Sequence, residues 1–198
     1  MGVDLRVDHP NAEVVGTETD ESALVRLAQI QNQQAQAELI ERYWPRLFRW
    51  LYQLTRDRHL AEDLAQEAFL KALANLERFQ VGTNFRAWLF RIAHNSLANV
   101  QRSPSRRREV LPEEVPARKQ DPSDLACSRE TLAAVAAAID RLPCDWRAAL
   151  LLRVEEDLSF RQIAGVLNTT EETARWRVFK ARQRLLAELE DRLELEES

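Results

Sequence analysis

The chain has 198 residues, 45% of them apolar, with four glycines, seven prolines and two cysteines. So few turn formers argue against an all-β fold, and the Ala, Leu, Glu and Arg content suits helices; Cys127 and Cys144 make neither a disulfide framework nor a zinc site and read as ordinary small apolar residues. The net charge of −4 hides an asymmetry: residues 1–20 carry one Arg against five acids and residues 186–198 one Arg against six, leaving +5 between 21 and 185.

No apolar run reaches the length of about 18 residues that a membrane span needs, so no membrane insertion is expected. The N-terminus has neither the basic start nor the apolar stretch of a signal peptide, which makes the cytoplasm the expected location.

Residues 1–20 are acidic and patternless and read as a disordered extension. A helical region covers 21–102. Its first helix starts near Glu21 or Ser22, and a second covers about 34–54, with Pro45 expected to kink or break it. A third runs over about 60–78 and a fourth over about 84–102, with the Gly82-containing loop between them. Residues 103–127 hold four prolines and no apolar period, so they read as a flexible linker. A second helical domain, 128–190, has one helix ended by Pro143 and others at about 145–156, 159–167 and 171–189; an acidic tail, 191–198, follows. The expected fold is all-α: two four-helix domains joined by a linker.

In the second domain, Ser159 is a good N-cap for a short helix with Phe160, Ile163, Ala164 and Leu167 on its apolar face. Asn168, Thr169 and Thr170 make a tight polar turn. In the next helix Ala174, Val178, Ala181 and Leu185 fall within about 60° of one another and form the buried stripe. Two short helices across such a turn, the second bearing Arg175, Arg177, Lys180, Arg182 and Arg184, make a helix-turn-helix. The face opposite the stripe carries Trp176 and Phe179. These either meet thymine methyls and sugars in a major groove, with Thr173 and the cations on phosphates and base edges, or pack on an earlier helix.

The fourth helix has a core stripe of Phe85, Leu89, Ile92, Ser96 and Val100. Beside it lies a second stripe, Trp88, Arg91, Asn95, Asn99 and Arg102. An aromatic, two amides and two arginines in line suit nucleic acid through stacking, base-edge hydrogen bonds and phosphate contacts. From Phe85 to Arg108 there are six arginines and no acid. The third helix buries Ala61, Ala65, Ala68, Phe69, Ala72 and Leu76. Its outer side presents Asp63, Gln66, Glu67 and Leu70, a leucine ringed by acids and an amide, which reads either as a protein-docking patch or as an ordinary solvated face.

Two segments decide between these alternatives. AEDLAQEAFLKALANLERF (61–79) with FRAWLFRIAHNSLANVQR (85–102) resembles the second conserved region of the extracytoplasmic-function sigma factors of bacterial RNA polymerase, and RLPCDWRAALLLRVEEDLSFRQIAGVLNTTEETARWRVFKAR (141–182) resembles their fourth.

The resemblance implies that Asp63, Gln66, Glu67 and Leu70 bind the clamp helices of the polymerase β′ subunit. It implies that the loop from Phe79 through Asn84 to Phe85 captures a flipped base of the −10 element, and that Trp88, Asn95 and the rest of their stripe read and melt that element. Thr173, Arg175, Trp176, Arg177, Phe179, Lys180 and Arg182 would contact the −35 duplex. Arg106, Arg107 and Arg108 would lead the linker toward the polymerase interior.

The implied partners are core RNA polymerase (β′ clamp helices and β flap), promoter DNA and an anti-sigma factor. No cofactor, metal or catalytic residue is implied. Three departures from the pattern bear on −35 preference: Asn168 where Gly is frequent, the opening Glu171-Glu172-Thr173-Ala174, and Trp176 in place of a smaller residue. A stand-alone helix-turn-helix regulator is the competing reading, and it leaves the acidic patch and the Trp88 stripe unexplained. A protein-binding adaptor leaves the arginine density unexplained.

Overall fold

The computed structural model describes the backbone of residues 12–102 and 134–196 and the side chains of residues 21–102 and 134–189. Residues 1–11 and the expected linker, with Cys127 and Arg106 to Arg108, lie outside the described residues. Among the described residues the fold is all-helical, with one isolated bridge between Val81 and Thr83.

The first half contains α1 (Ala12–Gln29), α2 (Gln33–Thr55), α3 (Arg58–Ala74), a 3-10 turn (Leu76–Arg78) and α4 (Phe85–Arg102). α1 starts well before the expected Glu21, so the disorder expected for 1–20 does not hold from Ala12 onward. Of the acids there, Glu13 lies in the first turn of α1, where negative charge is favourable. Pro45 neither breaks nor ends α2. Both Pro45 and Glu41, whose carbonyl loses its partner, lie on the exposed side of the helix, where a missing backbone bond costs least.

Asp57 caps α3 by accepting from the Leu60 amide at 3.0 Å. That helix ends at Ala74 rather than Arg78, and the chain tightens into the 3-10 turn. The buried side of α3 is the expected one, with Leu64 added. Gln29 ties α1 to this region: its amide donates to the carbonyls of Leu76 (2.9 Å) and Phe79 (2.8 Å).

The second half contains α5 (134–140), α6 (Cys144–Val154), α7 (Phe160–Val166) and α8 (Glu171–Glu196). Ser159 and Gln162 form a complete capping box on α7, which satisfies two otherwise orphaned amides. Asn168 sits at φ 49°, a left-handed conformation that asparagine tolerates at a turn. Ala174, Val178 and Ala181 are buried, with Leu185 packed at the edge. α8 continues beyond Leu189 because the sequence there stays rich in Glu, Leu and Arg, all strong helix formers.

The two halves share one hydrophobic core. α2 and α4 pack on α6 and α7. Trp50, only 1% exposed, lies against Phe90 (ring centroids 5.3 Å apart), and its indole N–H points to the Ala148 carbonyl at 3.5 Å. Polar contacts between the halves surround this apolar centre. Arg46 pairs with Glu156 at 2.9 Å, Arg56 pairs with Asp140, and the Asn168 amide donates to Asn95 Oδ1 at 2.7 Å.

Candidate nucleic-acid interface

The sequence around residues 74–85 breaks one helix, makes a tight turn and starts another, and this bend opens the site. An open cleft of about 540 Å³ lies between α3 and α4, lined by Lys71, Asn75, Arg78, Trp88, Ile92 and Asn95. Trp88 stands half-buried on one wall, held by Phe79 (5.0 Å between ring centroids) and Phe85 (5.7 Å). A tryptophan fixed in this way has little side-chain entropy left to lose if a planar group stacks on it.

Phe79 and Phe85 are themselves buried, at 7% and 2% exposure. They support the cleft from behind. Asn84 is likewise occupied, since its Oδ1 accepts from the Ala87 amide at 2.8 Å and so caps α4. Arg91, Asn95, Asn99 and Arg102 are exposed along α4, in line with Trp88 as expected.

Sequence reasoning did not place Lys71, Asn75, Arg78 and Ile92 in the site. The first three have the i, i+4, i+7 spacing of one helix face, which was the available signal. Lys71 is the hinge of the arrangement: its ammonium donates to Ser96 Oγ at 3.0 Å on α4 and pairs with Glu67 at 2.5 Å on its own helix. Asp63 and Gln66 are exposed, Leu70 is 63% exposed, and Glu67 is half-buried beside its lysine. The acidic patch and the cationic cleft therefore share α3 and touch through one ion pair.

On α8, Trp176 and Phe179 are 50% and 55% exposed. Trp176 meets Trp146 edge-on, with ring centroids 5.5 Å apart. It packs on an earlier helix with one edge while its remainder faces solvent. Arg175 pairs with Glu171 at 3.1 Å and lies over the Phe160 ring; Lys180 reaches Gln183 at 3.2 Å; Arg182 is exposed. Thr173 is tied to the Thr170 hydroxyl, its amide at 3.1 Å.

Arg177 pairs with Asp145 of α6 at 2.7 Å and is only 20% exposed, so it faces its own domain. Near it, burial holds His94 below its ordinary range, with Arg177 and Arg102 adding to the effect and Asp145 opposing it.

Among the described residues, no group of His, Cys, Asp and Glu side chains is placed to hold a metal, and no helix is long and apolar enough to cross a membrane.

An exposed acidic patch, an open cleft beside a supported tryptophan and a helix-turn-helix follow one another along the chain. Comparison with known proteins identifies the family. The family models of sigma-70 region 2 and sigma-70 region 4 match residues 39–107 and 132–185.

The ECF RNA polymerase sigma factor SigE of Mycolicibacterium smegmatis is 36% identical over 75% of this chain and 59% of that protein. The ECF sigma factor EcfG of Rhodopseudomonas palustris is 35% identical over 72% of this chain and 78% of that protein. Among solved structures, the sigma factor RpoE in complex with the anti-sigma factor NepR from Bartonella quintana superposes with a TM-score of 0.60 at 27% identity, covering 78% of this chain and 96% of that one. The chain belongs to the extracytoplasmic-function sigma factors, which direct RNA polymerase to promoters and start transcription.

Proposed function

We propose that residues 21–102 bind core RNA polymerase and the −10 element while residues 128–190 bind the −35 duplex, the whole acting in the cytoplasm without covalent chemistry of its own. Asp63, Gln66, Glu67 and Leu70 dock on the β′ clamp helices, and the second domain meets the β flap. The observation that carries this division is the placement of the exposed acidic patch on one side of α3 and of the Trp88–Asn95 cleft on the adjoining side. One side suits a basic protein surface, the other a nucleobase and its phosphates.

The second domain positions duplex through Arg175, Lys180 and Arg182, with strong salt dependence. In the cleft a melted base stacks on Trp88, and Asn95 hydrogen-bonds its edge. Unstacking costs a few kcal/mol, which pocket contacts and polymerase binding offset. Lys71 and Arg78 supply the cations for the adjacent phosphates. The two basic surfaces also suit a sequestering anti-sigma factor, as the Bartonella quintana relative binds one.

The test is promoter-specific run-off transcription with purified core polymerase. A discrete transcript is expected; tight duplex binding without any polymerase complex would reverse the conclusion in favour of a stand-alone regulator. Replacing Trp88 and Asn95 with Ala should spare polymerase binding yet abolish permanganate reactivity of unpaired thymines. Unchanged reactivity would remove the −10 assignment.

A further inference from the structure

Two neighbouring residues of α6 hold two neighbouring residues of α8. Trp146 meets Trp176 edge-on, with ring centroids 5.5 Å apart and planes at 87°, and Asp145 pairs with Arg177 at 2.7 Å. Successive residues of a helix project about 100° apart, so the two contacts together fix the rotation of α8 about its own axis. Trp146 is half-buried and packs against the core, while Trp176 is 50% exposed. The support is built into the domain, and the supported ring faces out of it.

One turn further along, Phe179 is 55% exposed, with the Lys180 ammonium over its ring at 5.9 Å. Trp176 and Phe179 share a face at i, i+3 spacing, about 4.5 Å apart along the axis at about 1.5 Å per residue. Stacked base pairs repeat at about 3.4 Å, so two such side chains suit neighbouring pairs. The one apolar group on a major-groove base edge is the C5-methyl of thymine. Asp145 draws Arg177 into the domain, at 20% exposure, which leaves the aromatic pair flanked by Arg175 and Lys180.

We propose that Trp146 is a positioning residue for the −35 contact, and that the Trp176–Phe179 pair it orients makes adjacent thymines the preferred sequence there. The inference rests on the −35 assignment above and deepens it. Arg175, Lys180 and Arg182 can hold the phosphates of any sequence, whereas the two rings gain only where methyl groups meet them. Trp146 acts before DNA arrives: a ring already braced edge-on keeps one orientation, so less side-chain freedom is lost on contact. With leucine in place of Trp146, the Trp176 ring turns among rotamers, and the preference fades while phosphate contacts persist.

The test uses the full chain bound to core polymerase and a pool of duplexes randomised across both promoter elements. The enriched −35 sequence should carry two adjacent thymines. Each is then replaced with deoxyuridine, which deletes the methyl and nothing else. One buried methyl corresponds to about fourfold in affinity, so each replacement should weaken holoenzyme binding by about that factor. Trp176→Ser should abolish the loss at one of the two positions. Trp146→Leu should reduce it there with the salt slope of binding unchanged, and Trp146→Phe, which restores an aromatic edge, should recover it.

Enrichment of a −35 sequence without adjacent thymines, or unchanged affinity on deoxyuridine, would overturn the thymine preference and leave the rings to a protein partner. Full wild-type sensitivity in Trp146→Leu would overturn its positioning role. Enrichment at the −10 element with none at the −35 spacing would instead sink the −35 reading and this inference with it.

Discussion

Replacing Trp50 with alanine probes the shared core where it matters most. The side chain is 1% exposed and touches Phe90, His94 and Ala148, so nearly all its surface leaves water on folding. An indole buries about 200 Å², which at about 25 cal/mol per Å² corresponds to about 5 kcal/mol. Residual burial in the unfolded chain lowers this by roughly a quarter, giving about 4 kcal/mol, within the range known for Trp→Ala in cores.

Urea denaturation followed by circular dichroism measures it. With a slope of about 2–3 kcal/mol per molar, the midpoint should fall by about 1.5 M. Because Trp50 sits between the halves, the variant should also unfold in two steps where the wild-type chain unfolds in one. Trp44 and Trp88 report on the first half, and Trp146 and Trp176 on the second. A loss below about 1 kcal/mol with one coincident transition would refute the shared core.

Glu67→Lys should abolish binding to core polymerase in a pull-down while leaving helicity unchanged, because its partner Lys71 makes only an exposed i,i+4 pair worth under about 1 kcal/mol; retained binding would remove the docking role of the patch. Since burial depresses His94, the unfolded chain takes up a proton at higher pH than the folded one. The stability this group contributes is therefore complete above the ordinary histidine range and is lost as pH falls through it toward the depressed value. Melting temperature should drop on going from pH 7.5 to 5.5, and His94→Gln should flatten that slope; identical slopes would exclude His94 as the source.

Much of the fold was legible because its signals are local. Ala61 to Leu76 repeat on one side of a helix, Ser159 is followed by Gln162 at capping distance, and Ala174 to Ala181 mark a stripe whose position the structure reproduces. The site was legible where one helix carries it, as along Trp88, Arg91, Asn95 and Asn99.

What escaped depends on contacts distant in sequence. The stripe read on α4 omitted Phe90, Ala93 and Leu97, all buried, because their apolar side gains meaning only once Trp50 and the second half are packed against it. The engagement of Arg177 with Asp145 is invisible for the same reason, with the partners on different helices. Phe79 looked like a loop residue facing a ligand, and Phe85 was read both into that loop and into the core stripe of α4; size and apolarity take both into the core, and their effect reaches the cleft through Trp88. The helix break after Ala74 carries no proline or glycine to announce it, which hid the cleft wall formed by Asn75 and Arg78.

Asn168 meets two requirements that narrow its permitted alphabet from different directions. The backbone at φ 49° accepts glycine or asparagine readily and most other residues poorly. The bond to Asn95 accepts only a side chain that can donate. Glycine satisfies the turn and forfeits the bond, glutamine offers the bond and strains the turn, and asparagine alone among these satisfies both. A lineage that drifts to glycine here keeps its helix-turn-helix angle and loses a link between the halves, so a single codon would weaken the seam while leaving each domain intact.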